Sequence, residues 1–305
     1  MVHPASRSTL AAVELVRAFL SGPQDVSLAQ GTSVSRRVFE AFGGSTSLLY
    51  STGWTRVLRP SRYTLSFLTR RGLPTVLSRA LTPLCRLADA ASSRLLRNPF
   101  HLAPPELSGG ELDVETLRKC LSEFSRGRSL RPTYRADSLK WLLELLDRRN
   151  GDRTFKKVVV RDSAREIVGY YLYYLNPRGG GDVVQIEARP RSIEGVLRHL
   201  FYEGWNHGLV AMSGLLDPEY LPAFAAQYCL FNRGDGSWLL VHSKHPDLLA
   251  AIHRGDAFLT RLEGEWWIGD VLMRSLTLDS ARRPGRLEAG DDPRLPHARP
   301  APLPG

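Results

Sequence analysis

The residues best placed to bind a ligand lie between two short apolar runs in the second half of the chain. Val183–Ile186 and Leu209–Met212 predict two strands, and the amphipathic segment Ser192–Trp205 predicts a helix between them. A strand–helix–strand unit of this kind pairs its strands in parallel. Ligands of such units usually lie at the carboxyl end of the first strand, where the helix start presents unpaired backbone amides. The sequence therefore predicts a ligand site beside the turn at Ala188–Pro190.

Composition limits the class of protein in which this site can lie. The chain has 305 residues, of which 43% are hydrophobic, so it is long enough for two units with real cores. It holds no apolar run near 18 residues, which argues against a transmembrane helix. Arg7, Glu14 and Arg17 interrupt the apolar N-terminal stretch, so a signal peptide is not expected. The three cysteines lack metal-ligand spacing, which favours reduced thiols in a cytoplasmic protein without a metal site.

The net charge of +10 is concentrated in one segment of the chain. Between Trp54 and Pro99 there are nine arginines against one acid, Asp89. One interpretation is a basic surface, residues 56–97, that contacts an anionic membrane or nucleic acid. The other is a linker helix whose arginines are simply solvated, and the sequence leaves both open.

The first hundred residues predict helices with few strands. Apolar spacing predicts a helix over Leu10–Leu20, and Ser33–Phe42 predicts a second, short helix. A strand is predicted at Ser47–Ser51, and the phrase around it resembles the one at Gly236–Ser243, which suggests an internal duplication. Residues 61–96 are helical in pattern, and prolines at positions 74 and 83 are expected to break them into pieces.

The remainder of the chain predicts a more complete set of elements. The elements expected are helices at Asp113–Ser125, Asp137–Arg149, Pro218–Tyr228 and His245–His253, an antiparallel hairpin of Phe155–Val160 with Ile167–Leu175, and a strand at Trp238–His242. From about Leu272 the chain is rich in Arg, Pro and Asp, which predicts disorder.

This order of elements resembles that of the GNAT-type N-acetyltransferases. Val2-His3-Pro4-Ala5-Ser6-Arg7 resembles the end of that family's fourth strand and the start of its acyl-CoA loop, V-x-P-x-x-R-G-x-G-x-G/A. The chain also looks like bacterial proteins with two tandem GNAT-like modules, which share phrases similar to Trp54–Pro60 and Arg261–Trp267. The resemblance implies an α+β fold, a mixed sheet flanked by helices, in two tandem modules of which the first is incomplete.

The implied boundaries follow from that resemblance. They are a partial GNAT-like module at 1–60, a basic helical linker at 61–104, a GNAT-like acyltransferase module at 105–268 and a disordered tail at 269–305.

The resemblance also implies acetyl-CoA, or another acyl-CoA, as co-substrate. Its pyrophosphate is expected at the start of the crossover helix, held by the cations Arg189 and Arg191 and by the backbone of Ser192, Ile193, Glu194 and Gly195. Ile193 and Glu194 stand where the family has its loop arginine and first glycine, so the usual pattern is not present here. Glu194 would also place a negative charge near the phosphates.

Two residues are the candidates for proton transfer. Glu187 directly follows the central strand, where family members often place a carboxylate, and it is the predicted general base. The family's acid is a tyrosine after the fifth strand; position 226 of this chain is alanine, so Tyr228 is the candidate and Tyr220 the alternative. A solvated glutamate and packed aromatic side chains are the structural interpretations of the same residues.

Three functions are compatible with these observations. The first is an acyl-CoA-dependent N-acyltransferase that acts on a small-molecule or peptide amine. The second is a catalytically degenerate GNAT-like module that binds or scaffolds, and the third is a basic adaptor that contacts an anionic surface. Assembly into a homo-oligomer is left open.

Overall fold

The helices and strands are distributed over two β-sheets. The computed structural model describes residues 10–95, 98–148, 152–233 and 238–263. The helices are α1 (Ala11–Leu20), α2 (Ser33–Ala41), α3 (Pro60–Arg70), α4 (Thr75–Arg94), α5 (Val114–Phe124), α6 (Ala136–Arg148), α7 (Ile193–Asn206), α8 (Leu221–Ala226) and α9 (Pro246–His253). The strands are β1 (Val26–Gly31), β2 (Ser45–Ser47), β3 (Thr52–Val57), β4 (Ser108–Glu111), β5 (Thr154–Arg161), β6 (Ile167–Leu175), β7 (Gly180–Ala188), β8 (Ala211–Leu215), β9 (Leu230–Arg233) and β10 (Trp238–Ser243).

The larger sheet has seven strands in the order β4-β5-β6-β7-β8-β3-β9. Its ladders are antiparallel except for the pair β7–β8, which runs parallel. The predicted hairpin is confirmed, because Val158 in β5 pairs with Tyr171 in β6. The predicted crossover is confirmed as well: α7 joins β7 to β8. This is the expected α+β class, a mixed sheet flanked by helices.

Apolar side chains cover both faces of the large sheet. On one face α7 buries Val196, Leu200 and Phe201 against the sheet. On the other face, residues of α5 and α6 such as Leu117 and Leu139 pack over the sheet. Fully burying a side chain of this size contributes roughly 1.5–3 kcal/mol. The two layers therefore fix the position of β7 at the centre of the sheet.

The smaller sheet has three strands in the order β1-β10-β2, and β10 pairs antiparallel on both sides. Its middle strand comes from the second half of the chain. In the large sheet, β3 of the first half lies between β8 and β9 in the same way. Each half of the chain therefore gives one strand to the other half's sheet. The phrases that look alike at Ser45–Ser47 and Leu239–Val241 belong to paired neighbours, β2 and β10.

Several sequence predictions need correction. Ser47–Ser51 is not a strand: β2 ends at Ser47, a 3₁₀ turn covers Leu49–Ser51, and β3 follows. Pro74 does precede a helix, but Pro83 lies inside α4 and does not break it, since the loss of one backbone hydrogen bond is tolerated there.

A strand was also missed within the predicted domain boundary. The Gly-rich segment Ser108–Glu111 forms β4, which pairs with β5. Two predicted segments, Val2–Arg7 and the tail 269–305, lie outside the described residues.

Candidate functional site

Glu187 lies where β7 leaves its parallel neighbour. The ladder between β7 and β8 runs only over Gly180–Val183, and β7 continues to Ala188 without pairing to β8. On its other side β7 stays paired with β6, where Tyr170 lies opposite Glu187. A register shift between Leu172 and Tyr173 of β6 marks a bulge in this ladder. The two parallel strands therefore separate beside Glu187.

The Glu187 side chain is buried, with 1% of its surface exposed. Its Oε1 accepts hydrogen bonds from the Tyr220 hydroxyl and from the backbone N–H of Ala188, the latter at 3.2 Å. Its Oε2 is buried and has no hydrogen-bond partner within the described residues. Burial raises the pKa of Glu187 to about 8, although the bond from Tyr220 opposes that shift. One carboxylate oxygen is therefore held, and the other is buried without a hydrogen-bond partner among the described residues.

A buried ion pair holds the turn that carries Tyr220. Arg128 Nη2 lies 2.7 Å from Asp217 Oδ1 and 2.8 Å from Glu219 Oε2. Asp217 also accepts the backbone N–H of Glu219 at 3.0 Å, which caps the 3₁₀ turn Pro218–Tyr220. The guanidinium carbon of Arg128 is 5.9 Å from the centre of the Tyr220 ring. These contacts orient Tyr220 towards Glu187.

The same face of β7 carries a second buried polar chain. Gln185 Oε1 accepts from the Tyr170 hydroxyl at 3.0 Å, and Gln185 Nε2 donates to Glu263 Oε1 at 2.8 Å. The Tyr134 hydroxyl also donates to Glu263 Oε1, at 3.1 Å. Glu263 faces a cavity of about 530 Å³ that is also lined by Asp137. Burial raises the pKa of Glu263 above its ordinary value.

The predicted phosphate-binding residues surround the start of α7. The first helical backbone bond at this end is donated by the Val196 amide to Ser192 O, so the Ile193, Glu194 and Gly195 amides precede the ladder. Arg191 is exposed, and its φ of 70° turns the chain into the helix. The Glu194 side chain is exposed too.

Two features restrict the space and the positive charge that the start of α7 can offer to a phosphate. Arg189 is engaged elsewhere: its Nε lies 3.3 Å from Glu123 Oε1, and its Nη2 lies 3.7 Å from Glu166 Oε2. Leu107 packs so close to Gly195 that a Cβ there would come within 3.0 Å of Leu107 Cδ1. The Ser192 side chain makes no capping bond within the described residues. Arg191 is therefore the cation of this set that remains available.

Tyr228 lies away from Glu187. Its side chain is 62% exposed, and the guanidinium carbon of Arg56 is 5.7 Å from its ring centre. The tyrosine that the fold brings to Glu187 is Tyr220, which the sequence offered only as the alternative.

The two histidines near α7 have structural partners. His199 Nδ1 lies 2.9 Å from the buried Tyr171 hydroxyl, and His207 Nε2 lies 3.0 Å from Glu203 Oε1. Across the described residues, no group of three or more His, Cys, Asp or Glu side chains is arranged to hold a metal ion. Within the same ranges, no helix has the length and apolar character needed to cross a membrane.

Comparisons with known proteins match solved structures, but no family model and no curated protein. A GCN5-related N-acetyltransferase from Anabaena variabilis is 10% identical, with a TM-score of 0.47 over 78% of this chain and 52% of its own. One from Sphaerobacter thermophilus is 14% identical, with a TM-score of 0.41 over 79% of this chain and 70% of its own.

The N-myristoyltransferase of Saccharomyces cerevisiae with bound myristoyl-CoA and inhibitors is also similar. It is 10% identical, with a TM-score of 0.46 over 79% of this chain and 58% of its own. This chain spans about half the length of the Anabaena protein. GCN5-related N-acetyltransferases are among the solved structures to which the chain is similar.

Sequence reasoning missed Arg128 and Asp217. Asp217 carries a visible signal, because an Asp directly before Pro218 is a common start of a helical turn. Arg128 carries none, since Arg126 and Arg131 lie beside it in the sequence and nothing local distinguishes the three.

Proposed function

We propose that this chain is an acyl-CoA-dependent N-acyltransferase in which Glu187 is the general base. The observation that carries the proposal is the Glu187 carboxylate. It is buried at the point where β7 and β8 separate, and its Oε2 has no partner among the described residues. A base must be within hydrogen-bond reach of the proton that it removes, and we assign that contact to this unpartnered oxygen.

In the proposed reaction an amine nitrogen attacks the acyl carbonyl carbon of the thioester. Glu187 Oε2 takes a proton from the nitrogen as the C–N bond forms. The C–S bond then breaks, and coenzyme A leaves as the thiolate. Tyr220 keeps its proton, because burial raises the pKa of its hydroxyl well above the ordinary value. It therefore acts by holding Glu187 Oε1 in place.

The start of α7 supports the binding of the acyl-CoA phosphates. Three backbone amides precede the helical ladder there, and Arg191 adds an exposed cation. Helix N-termini bind phosphate through such amides and through the helix dipole, and glycine is not required for this. In this proposal Arg189 orients the turn through Glu123 and Glu166 and does not itself contact the phosphates.

The finer assignments belong to the same proposal. The co-substrate is acetyl-CoA or a longer acyl-CoA, and the acceptor is an amine on a small molecule or a peptide. We place the reaction in the cytoplasm and assign it to the proposed module at residues 105–268.

Titration calorimetry with acetyl-CoA and with myristoyl-CoA tests the binding step. Release of free thiol in the presence of a panel of amines tests the transfer. Because the pKa of Glu187 is about 8 and the base must be deprotonated, kcat/KM should rise as the pH increases through about 8.

Glu187→Gln should lower kcat/KM by roughly 10²–10⁴-fold and remove that pH limb. Glu203→Gln is the matched control, since Glu203 lies on α7 and pairs with His207. No heat with either acyl-CoA at millimolar concentration, or full activity in Glu187→Gln, would overturn the proposal.

A second candidate is a GNAT-like module that binds or scaffolds without catalysis. The engagement of Arg189 and the contact of Leu107 with Gly195 favour it, because both restrict the phosphate site. It predicts that acyl-CoA hydrolysis and transfer are both undetectable, and that Glu187→Gln changes stability alone.

A further inference from the structure

A basic cleft lies beside the C-terminal half of α7. Its walls are α3, α4, the C-terminal half of α7 and the segment 101–104, and its volume is about 560 Å³. Small-molecule sites commonly have volumes of roughly 300–1,000 Å³. We call this the α3–α4 cleft; it takes no part in the acyl-transfer proposal.

The lining of the α3–α4 cleft carries an excess of positive charge. Arg59, Arg62, Arg86 and Arg94 face it, against the single carboxylate of Asp89. That carboxylate is already engaged, because it accepts from the Ser61 amide at 2.8 Å and from Arg62 Nε at 3.2 Å. Asp89 therefore caps α3 and pairs with Arg62, and its single negative charge is outnumbered by the four arginines of the lining.

Two of the arginines are free to bind a ligand. Arg86 and Arg94 are exposed on α4, and neither makes a hydrogen bond or ion pair with any described residue. They lie eight positions apart on the helix, so they are about 12 Å apart along its axis. Long side chains from these positions can reach two groups of one ligand.

A third arginine is fixed in the wall of the cleft. Arg59 Nη1 donates to Leu209 O at 2.6 Å, and its Nη2 donates to Trp205 O at 2.9 Å. Burial, and then the nearby charge of Arg62, lower the pKa of Arg59. Arg59 therefore adds a fixed positive charge to the wall of the cleft.

Aromatic side chains line the same cleft. The Tyr202 and Trp205 rings are 6.2 Å apart and inclined by 28°, and Arg59 lies 5.5 Å from the Trp205 ring centre. Both rings are half-buried and border the cleft. Such rings offer a face on which a planar group can stack.

We propose that the α3–α4 cleft binds a phosphate-bearing ligand with a planar ring, of the size of a single nucleotide. Arginine guanidinium groups match phosphate in geometry and charge, and the adjacent aromatic pair suits a base. The cleft volume of about 560 Å³ is of the size that one nucleotide occupies. Tyr202 lies about 14 Å along α7 from Ile193, so this cleft is separate from the proposed acyl-CoA phosphate site.

Titration calorimetry of the full chain with ADP, inorganic pyrophosphate and adenosine tests the proposal. ADP should bind more tightly than adenosine, and its affinity should fall as salt increases. The double variant Arg86→Gln/Arg94→Gln should weaken ADP binding at least about tenfold, because both free cations are lost. Arg79→Gln is the matched control, since Arg79 is exposed on the same helix outside the cleft, and it should bind like the unaltered chain.

Coenzyme A also carries an adenosine diphosphate group, so a third variant separates the two sources. ADP binding that is lost in Arg191→Gln but kept in the double variant would place the ligand at the start of α7 and overturn the proposal. Undetectable ADP binding at millimolar concentration would overturn it too. Binding of anionic vesicles or RNA, without ADP, would assign these arginines to a macromolecule instead.

The result is independent of the acyl-transfer proposal. If acetyl-CoA gives no heat while ADP binding remains sensitive to Arg86 and Arg94, the acyltransferase proposal fails and this one stands. Tyr202→Leu should weaken ADP binding and leave pyrophosphate binding unchanged, because pyrophosphate has no ring. Equal loss of both probes would remove the role assigned to the aromatic pair.

Discussion

The small sheet and one end of the large sheet share a plan but differ in what lies beside them. β1-β10-β2 and β8-β3-β9 are both three-stranded antiparallel units, and in each the middle strand comes from the other half of the chain. A helix precedes each unit, α1 before β1 and α7 before β8. The large sheet continues beyond β8 to β7, which carries Glu187.

The shared three-stranded unit is structural in both sheets, and the residue proposed for catalysis lies on the additional strand β7 of the large sheet alone. In both places the exchanged strand, β10 or β3, is the middle strand of an antiparallel unit. The proposed base instead lies on β7, the strand that precedes α7. Residues 1–9, which precede α1, lie outside the described ranges. The exchange of strands joins the two halves of the chain into shared sheets. The organisation into two separate modules therefore stays a prediction.

The largest effect is expected from truncating the tryptophan of each exchanged strand, which tests whether these strands couple the two sheets. Trp54 in β3 is 1% exposed and packs against Phe201 and Phe224. Trp54→Ala should lower the free energy of unfolding by about 3–5 kcal/mol. Trp238→Ala in β10 should cost less, because its cluster in the small sheet has fewer buried members.

Urea unfolding followed by two probes, near-UV and far-UV circular dichroism, checks this prediction. If the exchanged strands couple the sheets, both variants should unfold in one transition with an unchanged slope. Two separated transitions in either variant would mean that the sheets are independent.

The second prediction concerns the pH dependence of stability, to which Glu187 of the large sheet should contribute. The folded chain holds a proton on Glu187 up to about pH 8, whereas the unfolded chain releases it near its ordinary pKa of 4.5. The stability contributed by that proton is complete below pH 4.5 and is lost as the pH rises to about 8.

Glu187→Gln removes this titration. The free energy of unfolding of the variant, relative to that of the unaltered chain, should therefore rise by a few kcal/mol between pH 5 and pH 8. Unfolding free energies of both proteins at several pH values measure the gain. A constant difference across that range would show that Glu187 ionises normally.

The smallest expected difference in stability is between the N-caps of two helices, α5 and α2. Asp113 Oδ1 accepts the Thr116 amide of α5 at 2.8 Å, whereas Thr32 Oγ1 lies 3.5 Å from the Ser35 amide of α2. Asp113→Ala should therefore cost about 1 kcal/mol, and Thr32→Ala clearly less. Thermal unfolding of the two variants ranks them, and the reverse order would contradict the cap geometry.

Much of the large sheet could be predicted because its signals are local. Ile167–Leu175 is an apolar run between turn residues, and it forms β6 with the predicted bounds. The exchange could not be predicted in this way. β3 and β10 are both short strands with apolar residues, and their partners are decided by packing between segments far apart in sequence.

The candidate site was predictable in position but not in environment. The place of Glu187 near the end of the central strand could be inferred from the order of elements. Its burial could not, because it depends on Tyr220 and on the ion pair of Arg128 with Asp217, which only the folded chain brings together.

The exchange of β3 and β10 has a consequence for how the chain is made. β1 and β2 leave the ribosome early, but the strand that lies between them begins only at Trp238. Until then the edges of β1 and β2 that pair with β10 lack that partner. Contacts between residues so distant in sequence form slowly, and open strand edges favour aggregation in the meantime. The nascent first half is therefore the stage of biosynthesis at which a chaperone would matter most.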